Sequence, residues 1–159
     1  MNRSFFSLLF VLGALHLAAA ANIRQLPTVA EYVVIDGHKY FINRTDVTRN
    51  EAKAECKSRG MKLISFEEFG KWETVKKYVA NNNPYHTTYW MGAKRAANSL
   101  RWRWEGSGRT VQNFDWALTF PQYNNDVVYP FCLKFMLEQY FNGWTDSYCD
   151  YGVGGILCQ

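Results

Sequence analysis

The pattern of apolar and polar positions places a hairpin and a helix early in the chain. From Glu31 to Ile42 an extended apolar pattern is interrupted by Asp36-Gly37, a tight-turn signal, which predicts a β-hairpin. Thr48 and Glu51 have the spacing of a helix N-cap and its capping-box partner. Gly60 then marks the end of that first helix.

A second helix is predicted from Glu67 to Asn82, because apolar side chains recur there at helical spacing. The predicted buried face consists of Phe69, Trp72, Val75 and Val79. Pro84 ends this helix. The segment from Met61 to Phe66, between the two helices, has the composition of a short buried stretch.

Beyond Pro84 the pattern predicts short strands. In the segment Leu100 to Glu105, Trp102 and Trp104 alternate with arginines, which is more typical of a half-buried strand with a solvated basic face than of a nucleic-acid stacking surface. The other predicted strands are Thr87 to Gly92, Phe131 to Met136, Asn142 to Trp144 and Gly155 to Cys158. Helices followed mainly by strands indicate an α+β fold.

A long polar segment from Asp115 to Tyr129 shows no sustained pattern, and long loops of this kind inside compact domains are often functional. Its aromatic side chains could stack on a sugar ring or anchor a protein contact, although large aromatics are more often structural. They are Trp116, Phe120 and Tyr123. The adjoining Asn124-Asn125-Asp126 is an ordinary turn composition.

The first twenty residues have the features of a secretory signal peptide. Arg3 provides a positive start, an apolar run extends from Phe5 to Leu17, and small residues follow, so we expect cleavage after Ala20 or Ala21. A membrane anchor is the alternative, but it would need about 20 apolar residues. No later segment is apolar enough to span a bilayer, so we expect a secreted, extracellular mature chain.

Secretion decides how the cysteines are interpreted. All four lie beyond residue 21 and would enter an oxidising compartment, so two disulfides are expected, with three pairings open. A zinc site is the weaker alternative, because the chain has no CxxC pair and its three histidines are scattered. Asn43-Arg44-Thr45 is a sequon for N-glycosylation at Asn43.

Charge and composition narrow the classes of function. The 18 Lys and Arg residues exceed the 14 Asp and Glu residues by only four and form no basic stripe, so nucleic acid is not an expected partner. The sequence contains no GxSxG motif and no pattern that joins a nucleophile to a base, and we therefore expect no enzyme.

An ordered set of residues across most of the chain resembles the C-type lectin-like domain family. The set comprises a helix with Cys56, Trp90-Met91-Gly92, Trp102-x-Trp104, Pro121, Cys132, Trp144-Thr145-Asp146, Cys149 and Cys158. The resemblance implies an α+β fold with two helices, short mixed or antiparallel strands, a long loop region and two disulfides. It implies the pairings Cys56–Cys158 and Cys132–Cys149. The domains expected are a signal peptide at 1–20, an N-terminal segment at 21–38 and a lectin-like domain at 39–159.

The resemblance also implies where a calcium and sugar site would lie. In this family, acids and amides that flank a cis proline bind calcium, and sugar hydroxyls complete its shell of six to eight oxygens. Sugar preference follows a Glu-Pro-Asn or Gln-Pro-Asp triplet. This chain has Phe120-Pro121-Gln122 instead, and Thr145 precedes Asp146 where the family has an amide. Asp126 and Asp146 remain the candidate calcium ligands, and we expect weak or absent calcium binding.

The function implied is that of a secreted carbohydrate-recognition module for glycans or glycoproteins on cell or microbial surfaces, in settings that include innate immunity. The candidate ligand-binding residues are Trp116, Phe120, Gln122, Tyr123, Asn124 and Asn125. The alternative is a calcium-independent module that binds a protein partner and no sugar. Phe120 motivates this alternative, because it replaces a metal-ligating side chain with an apolar one.

Overall fold

The computed structural model describes residues 30–82, 88–123, 126–138 and 141–159. The predicted signal peptide, most of the predicted N-terminal segment and the candidate residues Asn124 and Asn125 lie outside these ranges. Within the described residues, no helix combines the length and the apolar character needed to cross a bilayer.

The predicted hairpin is confirmed. Strand β1 (Ala30–Ile35) pairs antiparallel with β2 (His38–Val47) along its whole length. Asp36 and Gly37 form the turn with φ values of 49° and 75°, the positive values that a two-residue turn of this kind requires. The hairpin thus includes residues 30–35 in the sheet, and the predicted domain boundary at residue 39 stays a prediction.

The first helix, α1 (Arg49–Ser58), begins as its capping signal predicts. The Thr48 side chain accepts a hydrogen bond from the Glu51 N–H, and the Glu51 carboxylate accepts one from the Thr48 N–H at 2.8 Å. The helix buries Ala52 and Cys56, and Gly60 follows its end with a φ of +68°. The capping box and the glycine stop are therefore confirmed.

The second helix, α2 (Phe69–Asn82), begins two residues later than predicted. Trp72, Val75 and Val79 are buried as expected. The prediction that Phe69 belongs to the buried face is wrong, because Phe69 is 40% exposed. It lies in the first turn of the helix, at the protein surface, where Gly70 is exposed as well.

The described strands form a seven-stranded mixed sheet with the order β1-β2-β7-β3-β5-β6, and β4 pairs with β3 outside this path. The remaining strands are β3 (Thr88–Arg95), β4 (Trp102–Trp104), β5 (Phe131–Leu137), β6 (Asn142–Tyr148) and β7 (Gly154–Cys158). Strand β3 pairs parallel with β7, and the other pairings are antiparallel. The α+β fold with two helices and a mixed sheet is confirmed.

Several strands have bounds that differ from the prediction. Strand β6 extends to Tyr148 because it pairs with β5 residue by residue from Leu137↔Asn142 to Phe131↔Tyr148. The second half of β6 is polar, and the apolar pattern of the sequence therefore predicts a strand that ends at Trp144. Strand β3 likewise continues to Arg95, and β4 is limited to the three residues that pair with it.

Buried tryptophans dominate the core. Trp72, Trp90, Trp104 and Trp144 are fully buried, and Trp102 is nearly so, which confirms a structural role for these tryptophans. The tryptophans of β4 face inward while Arg103 is exposed, which fits the predicted half-buried strand.

Both disulfides implied by the family resemblance are present. Cys56 of α1 is bonded to Cys158 of β7, and Cys132 of β5 is bonded to Cys149 just after β6. The bonded residues are 102 and 17 positions apart, which corresponds to about 4–5 and about 3 kcal/mol of stabilisation in a chain-entropy treatment. The second disulfide fixes the end of the β5–β6 hairpin.

The base of the long loop lies directly on the start of β6. The Trp144 N–H donates to the Asp115 carbonyl at 2.5 Å, and the Ala117 N–H donates to the Trp144 carbonyl at 2.9 Å. Gly143 permits this close approach: its φ is +148°, and a Cβ there would lie 2.4 Å from the Asp115 carbonyl oxygen. Backbone atoms cannot move aside as a flexible side chain would.

We expect Gly143→Ala to lower the free energy of unfolding by about 2–4 kcal/mol, because the added methyl group would separate the loop base from β6. Urea unfolding of the purified protein measures this. Gly70→Ala is the matched control, since a Cβ at that helical position meets nothing within 4 Å; it should be neutral or slightly stabilising. Equal stabilities for the two variants would contradict the argument.

Candidate functional site

The carboxylate of Asp146 binds the long loop to the sheet. Asp146 is 4% exposed in the middle of β6. Its Oδ1 accepts the Gln122 N–H at 2.8 Å, and its Oδ2 accepts the Tyr123 N–H at 2.9 Å. These two residues directly follow the cis peptide bond between Phe120 and Pro121. Both carboxylate oxygens of a candidate calcium ligand therefore accept hydrogen bonds from the loop backbone.

Arg95 in β3 also binds this loop. It is the last residue of β3 and is 1% exposed, and its Nη2 donates to the carbonyls of Tyr123 at 2.7 Å and Asp126 at 2.6 Å. Its guanidinium lies over the rings of Phe131 and Trp102, at 4.8 and 5.6 Å from their centroids. A buried cation thus binds the carbonyls of both Tyr123 and Asp126.

The electrostatics of this buried group link it to both candidate metal ligands. Burial lowers the pKa of the Arg95 guanidinium, and the negative charges of Asp146 and Asp126 act in the opposite direction. An arginine stays protonated in proteins, so the group remains a cation. Asp126 and Asp146, the two acids that the sequence predicts as calcium ligands, are therefore both attracted electrostatically to the fixed positive charge of Arg95.

The described residues do not fit a calcium ion. Calcium requires six to eight oxygens, preferably several from carboxylates. Within the described ranges, no group of three or more His, Cys, Asp or Glu side chains is placed to hold a metal. Thr145, at the position of the family amide, is 2% exposed, and Phe120 has no ligating atom.

The predicted aromatic ligand residues of the loop pack against the protein. Trp116 stacks on Phe114, with centroids 4.9 Å apart and planes 8° apart. Tyr123 stacks on Phe131 at 4.9 Å and contacts Tyr148 at 4.9 Å. Both are half-buried, whereas the Gln122 side chain is exposed. The assignment of these residues to ligand binding stays a prediction.

Two features of the region escaped sequence reasoning. Arg95 could have been found, because it continues the inward alternation of Tyr89, Met91 and Ala93 along β3. The second feature is a surface pocket of about 560 Å³ next to the second disulfide, which we call the tyrosine pocket. Its lining consists of Tyr129, Pro130, Tyr148, Cys149, Asp150 and Tyr151.

The glycosylation candidate lies at an irregularity of β2. The pairing register of β2 with β7 shifts between Asn43 and Val47. The Asn43 Oδ1 accepts a hydrogen bond from the Thr45 N–H at 2.9 Å, and Thr45 is exposed. The sequon is therefore accessible at its threonine, and its modification stays a prediction.

Comparison with known proteins identifies the class that this fold and loop define. The model of the C-type lectin domain matches residues 45–159, which is more than half of the chain. The chain therefore belongs to the C-type lectin domain family. Proteins with this lectin fold are in general non-enzymatic.

Individual relatives agree with this assignment. The chain is similar to the C-type lectin mosGCTL-7 of Aedes aegypti, with 24% identity over 132 residues that cover 80% of this chain and 86% of the relative. Among solved structures, it is similar to the Ca²⁺-independent C-type lectin SPL-2 from Saxidomus purpuratus, with a TM-score of 0.62, 21% identity and coverage of 80% and 88%. It is also similar to the C-type lectin CEL-I from Cucumaria echinata, with a TM-score of 0.63, 21% identity and coverage of 84% and 96%.

We expect Asp146→Asn to lower the free energy of unfolding by about 2–3 kcal/mol, because an amide offers only one acceptor to two backbone N–H groups and removes a negative charge that attracts Arg95. Chemical denaturation measures the loss, and limited proteolysis should show faster cleavage within residues 118–129.

Asp150→Asn provides the control for this prediction, because Asp150 is exposed and its replacement should change stability by no more than about 0.5 kcal/mol. An Asp146→Asn variant as stable and as resistant to protease as the Asp150→Asn variant would show that the buried carboxylate does not hold the loop.

Proposed function

We propose that this protein is a secreted glycan-recognition domain that binds its ligands without calcium. The family assignment supports carbohydrate binding as the class of function. SPL-2, which is described as Ca²⁺-independent, illustrates that the fold accommodates such lectins. The signal-peptide pattern and the two disulfides support secretion, since disulfides persist in oxidising compartments.

The observation that carries the calcium-independence is the arrangement of Arg95 and Asp146. A loop that depends on calcium for its shape is held by oxygens that converge on the ion. In this chain a guanidinium donates to two loop carbonyls, and a carboxylate accepts from two loop N–H groups. The protein supplies its own cation, so the loop requires no metal to be ordered.

The same arrangement argues against metal recruitment when a sugar binds. Asp146 would have to release the N–H groups of Gln122 and Tyr123 before its oxygens could coordinate an ion. Each released N–H would lose a hydrogen bond to a charged acceptor, worth about 1.5–3 kcal/mol. A divalent cation near Arg95 would also be repelled by the guanidinium. We further propose that the protein has no catalytic activity, in line with its family.

A second candidate function is the binding of a protein partner without sugar. Exposed apolar side chains on the long loop favour it: Leu118 is 71% exposed and Val128 is 67% exposed. Apolar side chains of this size on an exposed loop can anchor a protein contact. A pull-down from the native fluid in chelator, with Leu118→Ser as the comparison, tests this candidate.

Glycan-array binding by the mature protein tests the main proposal. We expect the same bound glycans with about 5 mM calcium, which exceeds the millimolar dissociation constants of extracellular calcium modules, and with EDTA. We also expect no shift of the melting temperature between the two buffers. Binding that appears only with calcium would overturn the calcium-independence. An absence of binding in both buffers would overturn glycan recognition and favour the protein-binding candidate.

The Arg95→Gln variant tests the built-in cation separately. We expect it to lose about 2–4 kcal/mol of stability, because it removes the buried donor that binds two loop carbonyls and the positive charge that attracts Asp146. Thermal and urea unfolding measure the change. Arg101→Gln is the matched control: Arg101 is exposed, and its loss should cost no more than about 0.5 kcal/mol. Equal effects would refute a structural role for the Arg95 charge.

A further inference from the structure

We infer that the glycan site of this protein is the tyrosine pocket, and that the pocket takes a neutral pyranose rather than an acidic sugar. This inference rests on the proposed glycan recognition and moves the site away from the triplet Phe120-Pro121-Gln122. The pocket is separate from the carboxylate and guanidinium that hold the loop, although Tyr148 connects the two regions.

The walls of the pocket offer aromatic surface to a ligand. Tyr151 is 76% exposed and Tyr129 is 54% exposed, whereas Trp116 and Tyr123 on the loop are half-buried against other rings. The ring of Tyr129 lies 5.7 Å from that of Tyr148 at an interplanar angle of 78°. Aromatic faces of this kind pack against the C–H face of a sugar ring, which is apolar.

The polar groups of the pocket match sugar hydroxyls. Asp150 is exposed and contributes a carboxylate, which accepts hydrogen bonds from hydroxyl groups. The tyrosine hydroxyls both donate and accept. A combination of mainly apolar walls with a few polar groups is typical of small-molecule sites, and the volume of about 560 Å³ falls in their range.

The charge of the lining selects against acidic sugars. The six lining residues include one acid and no lysine, arginine or histidine. Burial is the main reason that the pKa of Tyr148 is raised, and Asp126 and the neighbouring tyrosines act in the same direction. The Lys134 ammonium lies near Gly152 and 4.9 Å from the ring centroid of Trp90, but Lys134 is not among the residues that line the pocket. A sulfate, phosphate or carboxylate on the sugar would therefore meet the Asp150 carboxylate with no lining cation to offset it.

The pocket is held in shape before any ligand arrives. Cys149, which lines the pocket, is bonded to Cys132, and the Cys149 N–H donates to the Pro130 carbonyl at 3.5 Å. The Tyr151 N–H donates to the Tyr148 carbonyl at 3.4 Å, which closes the turn after β6. Tyr148 packs on Phe131 at 4.8 Å. A preformed site loses less conformational entropy on binding.

Binding of neutral and acidic oligosaccharides to the mature protein, by array and then by calorimetry in EDTA, tests the inference. We expect Tyr151→Ala and Asp150→Asn each to weaken binding of the neutral glycan by about tenfold. Tyr32→Ala is the matched control, since Tyr32 is 50% exposed on β1 and belongs to another surface. Near-ultraviolet circular dichroism and melting temperature check that each variant is folded.

The outcomes separate this inference from the function on which it rests. If the wild-type protein binds neutral glycans but Tyr151→Ala and Asp150→Asn bind as well as Tyr32→Ala, the tyrosine pocket is not the site. A loss confined to Gln122→Ala would place the sugar on the loop instead. Binding of acidic glycans alone would refute the ligand class. If the wild-type protein binds no glycan, both the inference and the proposed function fail.

Discussion

The interaction on which the structure depends is the double hydrogen bond from the loop backbone to the buried Asp146 carboxylate, together with the hydrogen bonds that the Arg95 guanidinium donates to the same loop. The sequence of the loop has no sustained apolar pattern by which a continuous apolar face could hold it. Its order comes from a few strong, directional contacts with charged groups at the edge of an aromatic core. Tyr123 then fills the space between Phe131 and Tyr148 because its backbone is held at both its N–H and its carbonyl.

Burying charge in this way is unfavourable unless every group is matched. Moving a carboxylate or a guanidinium out of water costs several kcal/mol, and only good geometry offsets that cost. Here each charged group has backbone partners in the loop, and the guanidinium also lies over two aromatic faces. A calcium ion would solve the same problem with a diffusible partner. An arginine solves it with a partner that belongs to the chain itself.

Local signals in the sequence were sufficient for the hairpin, the capping box of α1 and the inward face of β4, because each depends on residues close together in the chain. The family resemblance supplied the disulfide pairing, which spacing left open. The alternation of β3 places Arg95 inward, but its contacts with the loop carbonyls and the tyrosine pocket could not be predicted from local signals. The pocket is assembled from residues 129–130 and 148–151, which only the β5–β6 pairing brings together. Helical periodicity also failed to predict the exposure of Phe69, which lies in the first turn of α2, at the protein surface.

The position of β7 has a consequence for biosynthesis. This strand lies between β2 and β3 and contacts both, so residues 154–158 join the hairpin formed by the first strands to the rest of the sheet. Cys158 in the same strand is the disulfide partner of Cys56 in α1. During synthesis, the early hairpin and the aromatic core must therefore remain unjoined until this late segment has been made. Until then Cys56 is a thiol without its native partner.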